Sequence, residues 1–445
     1  MLRRLPLPAR SSPRLVTALL AAGLAGLLSG PVAAQPATPQ ARGDAALFDA
    51  QPRAFDGRSG KVVGVYVPNW EDPGLLERVP ARNLTHVLYA FLRLCGPGQL
   101  PKDAAACVGK KDFELTDGAL ERRFDGVFAR AKARAPQLQV LASVGGWGGS
   151  DPFFHLAGVP EHRAAFVEAC VRFLRAHPAF DGIDIDWEHP GGNGAANGVP
   201  LGGAQDGAHY ALLMQELRRA LDQLGRDSGR RYLLSTAVNS GQTIVQRIDF
   251  RAAAPALDLV FMMSYDFHGG WSERVGHHST LRSSSAQADD SLERSTRNLL
   301  EAGVPASKLV AGVAMYGRGF AGVRLARGEP PTGAAKTGAW PAPEGALSYR
   351  EIAAQALGPR GQGAHGFQLR LDPVTQGYAL YHPGKGLWMG YDDPRAVLAK
   401  GRFAREQGLA GVFAWELSQD NGALLNAMNA GVGNQPLDEA PPARR

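Results

Sequence analysis

Residues 180–190 read Phe180-Asp181-Gly182-Ile183-Asp184-Ile185-Asp186-Trp187-Glu188-His189-Pro190. Side chains two apart on a strand share a face, so Asp184, Asp186 and Glu188 line one side while Ile183, Ile185 and Trp187 line the other. In a parallel barrel the C-terminal end of a strand opens on the functional face, which puts Glu188 at the rim and Asp184 deeper inside. Three carboxylates so close raise one another's pKa and share protons, leaving one in the acid form. A protonated carboxyl at the mouth of a cleft is what cleavage of a glycosidic bond needs to protonate a leaving oxygen near neutral pH. The competing use of an acidic row is a cation site, but a rigid strand offers a poor oxygen cage. None of the three cysteines pairs with another at metal-ligand spacing, so neither a metal nor a cofactor is expected.

Outward from this strand, short β-branched runs bounded by turn residues alternate with segments of helical period, the pattern of a parallel sheet wrapped by crossover helices. Eight runs qualify: 62–67, 84–91, 138–144, 180–186, 232–238, 258–264, 309–316 and 410–415. Between them, Leu213, Met214, Leu217, Leu221 and Leu224 follow Tyr210 as one helical stripe, and 161–176 and 291–302 read similarly. An open doubly wound sheet is the alternative, but no G-x-G-x-x-G follows the first strand. The α/β pattern therefore predicts a (β/α)8 TIM barrel over 61–317 and 389–432. The seventh and eighth strands are separated by far more chain than one helix needs, which predicts an α+β insertion subdomain over 318–388. Its expected strands lie near Leu347–Tyr349, Gly366–Leu369, Tyr378–Tyr381 and Leu387–Met389, with a helix from Tyr349 to Leu357.

With 445 residues, 44% apolar and 20% charged, the chain is long enough for a large core without staples, and disorder is excluded. A net charge of +6 would suggest nucleic acid or a membrane surface, but four of the arginines, Arg3, Arg4, Arg10 and Arg14, precede the apolar run Leu15–Leu28. With Val32-Ala33-Ala34 after it, this is the pattern of a signal peptide over 1–34. Without it, 44 basic residues face 42 acidic ones, and neither nucleic acid nor a membrane is expected as a partner. The Pro/Ala/Gly-rich stretch 35–60 reads as a flexible tether and 433–445 as a disordered tail. Cys95 and Cys107 flank a loop that they could close in an oxidising compartment, whereas Cys170 sits at a core-like position. A secreted monomer, extracellular or periplasmic, is expected.

Flat aromatic faces pack on the C–H faces of sugar rings, and a polymer needs several in a row. Tyr66, Trp70, Trp147, Trp271 and Trp415 all fall at or just after predicted strand ends. His277-His278 reads as a solvated loop or groove wall rather than a metal pair.

These features together resemble glycoside hydrolase family 18, and within it the bacterial chitinases with an inserted α+β subdomain. The family's D-x-x-D-x-D-x-E signature is matched by Asp181, Asp184, Asp186 and Glu188. Ser143-Val144-Gly145-Gly146-Trp147, Met263-Ser264-Tyr265-Asp266, Met315-Tyr316-Gly317-Arg318-Gly319 and Ala414-Trp415-Glu416 are similar to its other signatures, so the likeness covers roughly 61–430. The resemblance implies Glu188 as the acid and base, and Asp186 as the group that turns between Asp184 and Glu188. Tyr265 would donate to the substrate's acetamido oxygen, which attacks in place of a protein nucleophile and retains the anomeric configuration. It further implies substrate contacts by Tyr66, Trp70, Phe91, Trp147, Met263, Asp266, Trp271, Tyr316, Arg318 and Trp415. Tyr66 and Trp70 would serve the non-reducing side, Trp147 and Trp271 the leaving-group side. Asp181, Gly145 and Gly146 are structural members of the motifs. His189 and His268 depart from the aromatic residues that close relatives carry. The implied substrate is chitin or its oligosaccharides. A lectin-like member without catalysis is argued against by Glu188, and an endoglycosidase of N-linked glycans by the insertion and the aromatic row.

Overall fold

The computed structural model describes residues 47–326, 331, 339–342 and 344–437. Seven of the β-branched runs form parallel strands: β1 (Val62–Pro68), β2 (His86–Leu92), β3 (Gln139–Gly145), β4 (Gly182–Asp186), β5 (Leu233–Asn239), β6 (Leu259–Met263) and β7 (Leu309–Ala314). The chain then builds a second sheet from β8 (Tyr316–Phe320), β9 (Ala346–Ser348), β10 (Gln368–Leu371), β11 (Tyr378–His382) and β12 (Leu387–Tyr391), antiparallel in the order β10-β11-β12-β8-β9. It returns as β13 (Gly411–Trp415), which pairs with both β7 and β1 and closes an eight-stranded parallel barrel. This is the (β/α)8 architecture with an α+β insertion between the seventh and eighth barrel strands.

The helix Asp206–Ser228 shows why the sequence folds this way: Tyr210, Leu213, Met214, Leu217, Leu221 and Leu224 are all buried on its barrel-facing stripe. They belong to the large apolar layer between barrel and helices. Inside the barrel a separate, smaller cluster of Tyr66, Leu88, Ala90, Ala237, Phe261, Val310 and Phe413 fills the lumen. Register sets the level of the polar residues above it. Ser143 on β3 pairs laterally with Asp184 on β4, and Asp184 with Ser235 on β5, so three inward-facing polar side chains share one layer.

The structure departs from the sequence-based expectation in three places. The seventh strand does not run to Tyr316: the Ala314 N–H donates to Asp392 Oδ2 (2.9 Å) and the Met315 N–H to the Trp415 carbonyl (2.8 Å). The chain turns there, and Tyr316 to Phe320 pairs antiparallel with β12, so the insertion sheet spans Tyr316–Tyr391 rather than 318–388. Second, the described part of the expected tether is stitched to the barrel. Phe55 is buried, its N–H donates to Asn83 Oδ1 (2.9 Å), and the Arg53 N–H donates to Asn426 Oδ1 (3.0 Å). Third, part of the expected tail is bonded too: the Leu437 N–H donates to the Ala54 carbonyl (2.8 Å) and the Asp56 N–H to the Gln435 carbonyl (3.0 Å). The expected signal peptide, residues 35–46 and residues 438–445 lie outside the described residues. Cys95 and Cys107 form a disulfide with Cα atoms 5.5 Å apart, and Cys170 is a buried free thiol.

Candidate active site

Asp184 sits deepest. Ser235 Oγ donates to its Oδ1 (2.6 Å), while Ser143 Oγ (2.7 Å) and Tyr66 Oη (2.9 Å) donate to its Oδ2. Burial raises its pKa, and the three hydroxyls partly offset that rise. Asp186, one pleat higher, is also buried, but its Oδ1 has no hydrogen-bond partner among the described residues. Burial first, then the charges of Glu188 and Asp184, push it well above the ordinary carboxylate range. Glu188 lies just beyond the strand and is mostly buried; burial and the Asp266 charge push it up to about 8. Asp186 and Glu188 titrate as a pair, so near neutral pH the two hold protons between them.

The backbone around these acids tolerates no extra atoms. Gly145 (φ 118°) and Gly146 (φ 81°) occupy conformations that side chains disfavour. A Cβ on the first would run into the Asp186 carbonyl and one on the second into the Phe91 ring. The Gly146 N–H donates to that same Asp186 carbonyl (2.8 Å), and the Glu188 N–H donates to Ser150 Oγ (3.1 Å).

Across the mouth, Asp266 (φ 58°) follows Tyr265 at the end of β6. Arg318, carried by β8 of the insertion, grips it with a two-pronged contact, Nε to Oδ1 (2.8 Å) and Nη2 to Oδ2 (2.6 Å). Although burial acts to raise the Asp266 pKa, His278 and Arg318 outweigh it and hold the carboxyl well below the usual range. The guanidinium also lies over Trp271 (4.9 Å) and Tyr316 (5.1 Å), so the insertion is joined to the barrel mouth by charge and by stacking. Burial and the surrounding carboxylates, Asp186 foremost, hold the Tyr265 phenol well above its usual range, so it remains a donor.

Aromatic rings complete the cleft. Trp415 at the end of β13 stacks on Phe91 (5.7 Å), with Tyr66 (5.4 Å) and Trp70 (6.5 Å) beside it. Trp70, Trp147 and Trp271 are 59%, 62% and 55% exposed, which is unusual for tryptophan unless something packs on it.

Residues 62–420 match the family described as glycosyl hydrolases family 18. The chain belongs to that family. Chitinase A of Pseudoalteromonas piscicida is 35% identical over 84% of this chain, which spans 52% of that relative's length. A probable endochitinase of Orgyia pseudotsugata multicapsid polyhedrosis virus is 34% identical over 84% of this chain and 72% of its own. Among solved structures, a family 18 chitinase of Cycas revoluta in complex with (GlcNAc)3 superposes with a TM-score of 0.68 at 27% identity, covering 84% of this chain and all (100%) of that one.

Within this family 18 site, most of the expected residues converge on the C-terminal mouth, including Met263, Tyr265 and Trp415. Asp181 lies at the other end of β4. Lys132 Nζ holds both its oxygens (2.6 and 2.7 Å), Arg230 Nη2 contacts Oδ1 (3.0 Å), and the Val140 N–H donates to Oδ2 (2.8 Å), so it fastens the barrel's underside. Tyr66 is corrected: with 1% exposure its ring lies in the lumen cluster, and its part is to donate to Asp184 rather than to offer a sugar platform. Tyr316 is likewise buried, beneath Arg318. His278 is no solvated loop residue: it is fully buried, packed on Tyr316 (5.2 Å), with Nδ1 3.5 Å from Asp266 Oδ1. His189 places Nε2 3.7 Å from Glu188 Oε2, and burial, then the Arg247 charge, lower its pKa to about 4. Sequence reasoning missed the parts of Ser235, Ser150 and His278. Only the lateral register of β3, β4 and β5 and the packing of loops from separate strands bring them in.

Proposed function

We propose that this family 18 enzyme is a chitinase, hydrolysing β-1,4 bonds between N-acetylglucosamine units with retention of configuration. The observation that carries the reading is the state of the carboxyls. Asp184 is saturated by three hydroxyls and Asp266 by the Arg318 fork, which leaves Asp186 and Glu188 as the groups with protons to move. Glu188, raised to about 8, is in its acid form at neutral pH and protonates the glycosidic oxygen. As that bond breaks, the substrate's acetamido oxygen bonds to the anomeric carbon and forms an oxazolinium ion, the substrate-assisted route. Asp186, whose Oδ1 has no partner among the described residues, orients the acetamido N–H, and the Tyr265 hydroxyl donates to the acetamido oxygen. Glu188, now a carboxylate, takes a proton from water as it opens the ring. Trp415 forms the floor under the reacting sugar, and the insertion, fixed by Arg318, raises one wall of the groove.

The test is a pair of polymers. Chitooligosaccharides should be cleaved and fully deacetylated chitosan, which has no acetamido nucleophile, should not; comparable rates on both would overturn the mechanism. We further propose that the protein is an exported monomer. The arginine-then-apolar pattern of 1–34 and the Cys95–Cys107 disulfide support export to an oxidising compartment. N-terminal sequencing of the exported protein should begin after Ala34, and light scattering should return the mass of one chain.

A further inference from the structure

Between Glu188 and the helix Asp206–Ser228 the chain makes a long detour over the barrel mouth. Its two ends are clipped together by Asp206 Oδ2, which accepts from the Gly191 (2.9 Å) and Gly203 (2.8 Å) N–H groups. At its centre Asn193 is 1% exposed and uses its whole hydrogen-bonding capacity. Its Oδ1 accepts from the Ala195 (3.0 Å) and Leu201 (2.9 Å) N–H groups, and its Nδ2 donates to the Val199 carbonyl (3.0 Å) and to Asp151 Oδ1 (2.9 Å). Asn197 makes a second tie, from Nδ2 to Asp151 Oδ2 (2.9 Å) and to the Gly148 carbonyl (2.7 Å). Asp151 is 2% exposed, and two asparagine amides, rather than a cation, take its oxygens.

Both ties end on the segment that directly follows Trp147. At Gly194 an added Cβ would stand 3.4 Å from the edge of the Trp147 indole, so the detour backs that ring, while the rest of it stays open. Among the described residues the only other ring near it is His189 (6.5 Å), and a sugar platform that rotates freely loses binding energy on ordering.

The geometry points to Asp151, Asn193 and Asn197 as positioning residues that set the Trp147 platform, and with it the contribution of sugars on the leaving-group side. They touch no substrate themselves. This inference rests on the chitooligosaccharide reading above and on Trp147 serving the leaving-group side.

The test compares two substrates in steady state. N-acetylchitohexaose places sugars on both sides of the scissile bond, whereas N,N′-diacetylchitobiosyl fluoride has a one-atom leaving group that reaches no platform. Asn197→Asp, which sets a second carboxylate against Asp151, should raise KM for the hexamer about five- to tenfold and change turnover of the fluoride less than about twofold. Trp147→Ala should raise KM for the hexamer at least as far, and adding Asn197→Asp to it should raise it no further. Equal losses on both substrates, or additive losses in the double variant, would overturn the inference. Should Asn197→Asp fail to fold, Asn197→Ala carries the same comparison with a smaller expected split. A wild type active on neither substrate would instead overturn the chitinase reading itself.

Discussion

The two ends of β4 carry the same residue type in opposite circumstances. At the underside, Asp181 lies within reach of Lys132, Arg230 and a backbone N–H, so its charge is matched. At the mouth, Asp186 and Glu188 have no cation in contact among the described residues: their ionisable neighbours include each other, Asp184, Tyr265, the negative Asp266 and the neutral His189. One strand thus uses carboxylates once to hold the barrel shut and once to hold protons ready. The difference comes entirely from what neighbouring strands and helices place around them, and it separates stability from catalysis along a single short segment.

The comparison can be broken from either end. The largest effect belongs to Glu188→Gln, which keeps the shape and removes the proton. Turnover of chitooligosaccharides should fall about 10³-fold or more with binding retained, measured by product release and by calorimetry. Asp186→Asn should follow at about 10²-fold, because the amide cannot share a proton with Glu188. At the opposite end Asp181→Asn should leave turnover unchanged at assay temperature. It should cost about 1–3 kcal/mol in denaturant unfolding, a modest figure because both cations are partly exposed.

The smallest effect is the most diagnostic. Glu188 binds its proton more tightly folded, at about 8, than unfolded, near 4.5, so between those values the native state holds more protons and stability falls as pH rises. Glu188→Gln removes that liability. The variant should therefore melt a few degrees above wild type at pH 8, with the gap closing by about pH 4.5, while wild-type activity is lost as pH rises through about 8. A melting gap independent of pH would show that the mouth does not store protons in this way.

Much of this was legible from residues alone. All eight barrel strands lie within about two residues of the runs expected, because a parallel barrel strand buries both faces and reads as a short, β-branched and largely apolar run bounded by turn residues. The acid row was legible because alternation fixes which side chains share a face. What could not be read depends on contacts distant in sequence. Tyr316 belongs to β8 because Asp392, far along the chain, takes the Ala314 N–H and ends β7 there. The aromatic character of Tyr66 suggested a platform, and only its pairing with Asp184 shows the hydroxyl to be the working part. Residues 50–60 look featureless by composition, yet Asn83 and Asn426 supply partners for their backbone.

The bonds joining Ala54, Asp56, Gln435 and Leu437 bring the last described residues next to Asn83, just before β2 and so on the face opposite the cleft. The Phe48 ring lies instead under the Arg395 guanidinium (4.9 Å), which also covers Tyr378 of β11 (5.1 Å). An attachment made at Leu437 would therefore hang from the floor of the barrel and leave the groove facing outward, whereas one made at Phe48 would sit beside the insertion sheet.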